Sequence, residues 1–336
     1  MKVEKKDVYA FFKGEQKFKL EDIEKYIDEE KFDINSPNED GFNILHYACQ
    51  KRNIEWVKFL IKKNCDLNAI WNSCVNDDTI FMLFCGFSGI DNDDDSPIEI
   101  IKLFLENKTL DINRLNNFGR NALFFSCDYG SSFKTAKLLI ENPGVNLNQQ
   151  DMFGTTVLIY LCGNIDQEDW YIEVIELLIN KGCDMNLKDK RGYTALMYLS
   201  LSGEGERNIK AVKLLLQSKK CKFDVKNNEN YDHLMFACLH RRYKIAQLLL
   251  DYGHPINPGP HYGEYEKVVT AHFTRQRNGI GILLMHNKYE SKSNMQKKRN
   301  FDEINENPLN ILPKELIHLI LSYSHPWAPQ TKYCQN

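Results

Sequence analysis

A short block of apolar and small residues returns six times along this chain, and no other feature limits its fold so strictly. It reads Ile44-Leu45-His46-Tyr47-Ala48-Cys49, Ile80-Phe81-Met82-Leu83-Phe84-Cys85 and Ala122-Leu123-Phe124-Phe125-Ser126-Cys127 in the first half of the chain. The later copies are Val157-Leu158-Ile159-Tyr160-Leu161-Cys162, Ala195-Leu196-Met197-Tyr198-Leu199-Ser200 and His233-Leu234-Met235-Phe236-Ala237-Cys238. Four residues before each Leu (or Phe81) stands Gly41, Asp77, Gly119, Gly154, Gly192 or Asn230. These are the residue types that best tolerate the positive φ of a tight turn. One turn and one apolar signature returning at a steady interval describe a repeat array.

Each unit has a second half. Helical runs follow at Val57–Ile61, Ile101–Leu105, Ala136–Ile140, Ile175–Ile179, Val212–Leu216 and Ala246–Leu250. A polar tetrad closes most units, as in Phe32-Asp33-Ile34-Asn35 and Cys65-Asp66-Leu67-Asn68. Leu110-Asp111-Ile112-Asn113 and Cys183-Asp184-Met185-Asn186 repeat it, Phe223-Asp224-Val225-Lys226 is a worn copy, and Ile256-Asn257 ends the series. Asn35, Asn68, Asn113, Asn148 and Asn186 follow one another at intervals of 33, 45, 35 and 38 residues.

Turn, short helix, longer helix and polar return at about 33 residues resemble ankyrin repeats. The resemblance spans Gly41 to Asn257, with a partial unit before it. Gly41-Phe42-Asn43-Ile44-Leu45-His46-Tyr47-Ala48-Cys49 and Gly192-Tyr193-Thr194-Ala195-Leu196-Met197 stand nearest to the family's Gly-x-Thr-Pro-Leu-His-x-Ala-Ala. It implies an all-α solenoid of helix-turn-helix units with β-turn fingers. No copy keeps the family's Pro and only His46 keeps its His, so weaker inter-repeat bonding than in a consensus array is expected.

Composition fits a soluble globular chain, with 43% hydrophobic and 26% charged residues. A net charge of −3 gives no concentrated basic face, so no nucleic acid partner is expected. No apolar run approaches the ~18 residues a bilayer span requires, and no apolar core follows Met1–Asp7 as a signal peptide would need. A monomer in the cytosol or nucleus is the expectation.

The cysteines keep the register. Cys49, Cys85, Cys127, Cys162 and Cys238, with Ser200 in the remaining copy, all lie eight residues after the turn position. One per repeat is not zinc spacing, and free Cys packs as a small hydrophobe. No metal or cofactor is expected. Asp91–Asp95 begins like a calcium loop, but Ser96 stands where Gly is required and Lys102 where the closing Glu is required. Ser96 as N-cap, Pro97 at N1 and Glu99 as capping-box partner explain the segment better. His254, His261 and His272 read as loop histidines. With no phosphate loop, nucleophile elbow or supported Cys/His pair, no enzyme is expected.

Residues flanking the turn glycine point outward in the family, which makes Phe42, Phe118, Arg120, Phe153, Arg191, Tyr193 and Tyr231 the candidate partner-binding set. Aromatics and arginine are the types enriched at binding hot spots. The protein target would lie on the concave repeat face. Extra residues at Gly86–Asp95, Gly163–Trp170 and Ser202–Asn208 read as solvated inserts between the helices of a unit.

Beyond the repeats, Lys297-Lys298-Arg299 sits in a polar stretch. Leu312, Leu316, Leu319, Ile320 and Tyr323 then share one helical face. Leu312-Pro313-Lys314-Glu315-Leu316 and Ile320-Leu321-Ser322 resemble the opening of an F-box, which docks on Skp1 of cullin-based ubiquitin ligases. The resemblance makes Leu312, Pro313, Leu316, Ile320 and Leu321 the docking residues. Ankyrin repeats ahead of a short F-box resemble the C-terminal arrangement of poxviral ankyrin proteins. The expected partition is an N-terminal capping helical unit over 1–37, about six repeats over 38–257, a degenerate capping repeat over 258–286, a polar linker over 287–308 and an F-box-like helix over 309–336. The expected function is a substrate adaptor joining a target to a ligase; a plain scaffold with the last helix as a structural cap is the alternative.

Overall fold

The turn residues take the conformation their chemistry suits. In the computed structural model, Gly41, Gly119, Gly154 and Gly192 have φ of 83°, 74°, 77° and 82°, and Asp77 and Asn230 have 55° and 69°. The residues described are 4–14, 19–29, 32–70, 76–86, 95–128 and 131–255, with Val268 besides. The chain divides into two units, Met1–Phe273 and Thr274–Asn336, and every described residue belongs to the first. The Ile256-Asn257 end of the repeat series, Lys297–Arg299 and the F-box-like residues Leu312, Pro313, Leu316, Ile320 and Leu321 lie outside the described residues.

Fourteen helices are present among the described residues, in seven consecutive pairs. They are α1 Lys5–Lys13 with α2 Leu20–Asp28, α3 Ile44–Gln50 with α4 Ile54–Lys62, α5 Ile80–Gly86 with α6 Ser96–Glu106, and α7 Ala122–Ser126 with α8 Phe133–Glu141. α9 Val157–Gly163 with α10 Tyr171–Asn180, α11 Ala195–Leu201 with α12 Glu206–Gln217, and α13 His233–Leu239 with α14 Tyr243–Asp251 complete the series. The apolar signature forms the first helix of each pair from α3 on. These helices are too short to persist alone in water and depend on packing in two layers. α3, α5 and α7 pack in sequence, as do α9, α11 and α13, while α4, α6, α8, α10, α12 and α14 form the second layer.

Five of the six short helices start from a side-chain cap; α7, with Asn121 at its N-cap, has none. Asn43, Thr79, Thr156, Thr194 and Asp232 accept a hydrogen bond from the backbone N–H three residues on, at 2.9 to 3.3 Å. The apolar core follows: Leu45, Phe81, Leu123, Leu158, Leu196 and Leu234 are each no more than 2% exposed. Burying each contributes roughly 1.5–3 kcal/mol. At the N-terminal end, Trp56 packs its ring 5.1 Å from both Phe11 and Phe12, seating α1 against α4.

The polar tetrads do more than return the chain. Asn35, Asn68, Asn113, Asn148 and Asn186 each accept, through Oδ1, a backbone N–H of the next unit: Asp66, Asp111, Asn146, Asp184 and Lys222, at 2.7 to 2.8 Å. Asn68, Asn113 and Asn186 also donate to the next unit's carbonyls at Thr109, Gly144 and Lys220. This asparagine ladder carries bonding between repeats that the missing family Pro and His leave open. It stops at the worn copy, where Lys226 replaces Asn.

The cysteine column is buried as the register implied. Cys49, Cys85, Cys127, Cys162 and Cys238 are buried and unbridged, and Ser200 bonds back to the Leu196 carbonyl at 2.7 Å. Burial pushes the Cys127 thiol up to about 12, and the Cys85 and Cys162 thiols rise for the same reason. These sulfurs are poor nucleophiles.

Three sequence expectations need correction. The third insert ends at Gly205, because Glu206 already begins α12. Asp95, not Ser96, precedes α6; Ser96 is its first residue, ahead of Pro97. Nor are the inserts merely solvated. Asp95 pairs with Lys134 at 2.8 Å, Arg207 pairs with Asp169 and donates to the Asp166 carbonyl, and Glu204 accepts the backbone N–H groups of Lys244 and Ile245 that open α14. A charged side chain from one unit thus meets the next. His254 lies in the loop after α14, as expected, and is buried there: it lies 4.9 Å from Phe223 and 5.8 Å from His233, ring to ring.

Candidate protein-binding surface

The finger turns are built around an Asx residue. Asn38, Asn116, Asp151, Asp189 and Asn227 each accept, through one side-chain oxygen, the backbone N–H groups two and four residues on. The backbone closes the same loop, as in Asp189 N–H to the Tyr193 carbonyl and Gly192 N–H to the Asp189 carbonyl. Neighbouring fingers then join: Asn117 N–H donates to Asn76, Met152 to Phe118, Lys190 to Phe153 and Asn228 to Arg191. Glycine is needed where they meet. A Cβ on Gly192 would lie 2.7 Å from Asn228 N, and one on Gly154 2.9 Å from Lys190 N.

This frame sorts the sequence-predicted residues into two groups. Phe118 and Phe153 project from the tips, 37% and 55% exposed, and Arg191 is exposed beside them. Phe42, Tyr193 and Tyr231 fold back, half-buried. Phe42 lies on His46 and Tyr47, Tyr193 on Tyr198 and Phe236, and Tyr231 on Phe236. Each leans on the short helix of its own or the next unit, so only part of its ring faces outward. Arg120 is engaged too: its Nε and Nη2 donate to Asp151 Oδ2 at 3.3 and 3.1 Å, and its guanidinium lies 5.6 Å from the Phe124 ring. Arg191 donates to the Tyr198 hydroxyl and covers the Tyr193 ring at 4.9 Å.

Two further tip residues escaped the sequence reading. Leu115 and Met152 are 44% and 45% exposed. They directly precede and follow the Asx residues Asn116 and Asp151. An Asx column aligned across the repeats would have flagged them, whereas they lie four and two residues before Gly119 and Gly154, outside the immediate flanks of the glycine column.

Below the tips, a second polar layer faces the same side. Tyr160 donates to Asp128 at 2.6 Å, and Tyr198 donates to Asp189 at 2.7 Å. Burial first, and then the neighbouring carboxylate, raises both phenols. They hold position and do not ionise in the physiological range. Among the described residues no three His, Cys, Asp or Glu side chains gather as metal ligands, and no helix is long and apolar enough to cross a membrane.

Paired helices, finger turns and polar returns stacked in this way make an all-α ankyrin-repeat solenoid. Residues 26–73 match the family described as ankyrin repeats in many copies, and residues 167–259 match ankyrin repeats in three copies. Among solved structures, the chain is similar to an ankyrin repeat domain from Acinetobacter baumannii, with 20% identity, a TM-score of 0.52, and 62% of this chain and 97% of that one covered. The ankyrin repeat domain of Bcl-3, a member of the IkappaB family, is 20% identical with a TM-score of 0.57, covering 72% of this chain and 96% of that one. No curated protein matches the chain significantly. Ankyrin repeats bind protein partners, and the array is a protein–protein interaction scaffold, a fold that is typically not enzymatic.

Proposed function

We propose that the chain is a substrate-recognition adaptor: the repeats hold a protein target, and the C-terminal segment recruits a ubiquitin ligase through Skp1. The observation behind target recognition is the exposure of Phe118, Phe153 and Arg191 on consecutive finger tips. Large apolar side chains kept in water on adjacent turns contribute little to the stack and are the usual anchors of an interface. The ligase half rests on sequence, namely Leu312-Pro313-Lys314-Glu315-Leu316 and Ile320-Leu321-Ser322, whose one-faced stripe suits insertion into an apolar groove. The adaptor acts as a monomer in the cytosol or nucleus and has no catalytic step of its own. As in the poxviral proteins it resembles in layout, ligase recruitment sits at the C-terminal end.

The test is capture of purified Skp1 by the full chain. Leu316→Asp with Ile320→Asp places charge in the proposed groove and is expected to abolish capture, leaving repeat helicity and melting unchanged. No Skp1 capture by the wild type, together with early melting of the double variant, would establish a plain scaffold whose last helix is a cap.

A further inference from the structure

The finger tips change sign along the array. Glu39 and Asp40 stand exposed on the first finger and Asp77 on the second, whereas the next three fingers show exposed Arg114, Lys190 and Arg191. The carboxylates of these three fingers are withdrawn from solvent. Asp151 and Asp189 are buried, each accepting two backbone N–H groups, and their remaining oxygens bond Arg120 and Tyr198. Asp128, one layer down, is exposed, with one carboxylate oxygen held by the Tyr160 hydroxyl at 2.6 Å. Glu229 is exposed on the following finger and closes the basic stretch as Asp77 opens it.

Within those limits lies the apolar strip of Leu115, Phe118, Met152 and Phe153, all more than a third exposed. The bond from Met152 N–H to the Phe118 carbonyl, at 2.6 Å, fixes its two fingers against each other. The strip is therefore preformed and loses little entropy on binding.

We infer that the tips of the three fingers from Arg114 to Arg191 dock an extended protein segment that combines carboxylates with large apolar side chains. This deepens the recognition reading above and rests on it. Apolar side chains of the segment cover the strip while its carboxylates meet Arg114 at one end and Lys190 and Arg191 at the other. With helices stacked about 8–10 Å apart, three fingers span roughly 20 Å, the length of about six extended residues. The acidic fingers before and after repel such a segment and set its register. Nucleic acid suits the strip poorly. Two of its four apolar groups, Leu115 and Met152, offer no ring for base stacking, and the cations do not form the continuous track that phosphates need.

The test is fluorescence anisotropy on the full chain, with a labelled octapeptide that alternates glutamate with leucine or phenylalanine. Comparison peptides carry lysine for glutamate or serine for the apolar residues, and a labelled oligothymidylate is the nucleic acid probe. The acidic–apolar peptide should bind at least tenfold more tightly than every comparison probe. Met152→Ser with Phe153→Ser, and separately Lys190→Glu with Arg191→Glu, should each weaken it at least tenfold at unchanged helicity. Equal binding of the peptides, preference for the oligonucleotide, or unaltered binding by the variants overturns the inference. If the variants lose the peptide but still hold a protein that crosslinks to the wild type, the inference also falls, while the recognition reading stands. If no protein crosslinks to the wild type, that reading falls with it.

Discussion

Two polar rows join the repeats, and they differ in what they leave over. In the asparagine ladder, Asn68, Asn113 and Asn186 use both the oxygen and the nitrogen of the amide on the next unit. In the finger row the backbone and the Asx side chains make the joints, and Phe118, Met152 and Phe153 are left in water. Both rows repeat with the same period. Periodicity therefore marks where the chain is built, and only the unspent side chains mark where it can recognise something else.

The core beneath both rows sets the scale. Leu158→Ala should cost about 2–5 kcal/mol, because a fully buried side chain leaves a cavity. Cys162→Ala, at a buried site where the family carries Ala, should cost about 1 kcal/mol or less. Urea melts of the two variants check this; equal losses would mean that the cysteine column packs as tightly as the leucine column. In the finger row, Gly192→Ala should cost about 2–4 kcal/mol from left-handed strain and overlap with Asn228. Gly182 has a φ of 85°, but a Cβ added there would meet nothing within 4 Å, so Gly182→Ala should cost only the strain, about 1–2 kcal/mol. Equal losses would remove the joint between fingers as the reason for glycine.

In the ladder, Asn113→Ala removes a donor and an acceptor between units and should cost about 1–3 kcal/mol. Hydrogen exchange on both sides of the break reads it locally. A variant that melts like the wild type would reduce the ladder to decoration. Acid probes the helix starts beside the fingers. His233 bonds the Thr194 hydroxyl of the preceding unit at 3.1 Å, and burial holds its pKa down at about 3; His46 is lowered to about 4 for the same reason. A folded pKa below the unfolded value of 6.5 means the stability is complete above pH 6.5. It is lost as the pH falls from there, because the unfolded chain takes up the proton first. Each histidine then costs up to about 1.4 kcal/mol per pH unit. His233→Gln should give a shallower decline between pH 6.5 and 5, and parallel declines would assign the acid sensitivity elsewhere.

Most of the architecture was legible because repetition amplifies weak local signals. Gly41 alone says turn; six turn positions in register say array, and all six have positive φ. The fate of each ring was not legible. Phe42 and Phe153 occupy neighbouring places beside the turn glycine, yet one packs on Tyr47 and the other stands out. The difference follows the side of the glycine: Phe118, Phe153 and Arg191 before it stand out, while Phe42, Arg120, Tyr193 and Tyr231 after it are half-buried against the short helices, a contact seen only once the finger is folded. The ladder was missed for a similar reason. Asn in a polar loop reads as solvent-facing until the next unit's backbone N–H is seen 2.7–2.8 Å away.

The smallest stability effect should come from the tips themselves. Phe153→Ser removes a ring that is 55% exposed, so little apolar area returns to water and the change should stay within about 0.5 kcal/mol. Its backbone is untouched: Phe153 N–H still donates to Asp151, and its carbonyl still accepts from Lys190. Thermal melting at one protein concentration measures this against Tyr193→Ser. That ring packs 5.0 Å from Phe236 of the next unit, so its loss should be clearly larger. The contrast is sharp because Phe153 precedes its finger glycine and stands out, whereas Tyr193 follows the next finger's glycine and has Phe236 behind it. If Phe153→Ser destabilises as much as Tyr193→Ser, the tip ring supports the stack after all. The line drawn between the two rows would then have to move inward, to the residues that remain indifferent to folding.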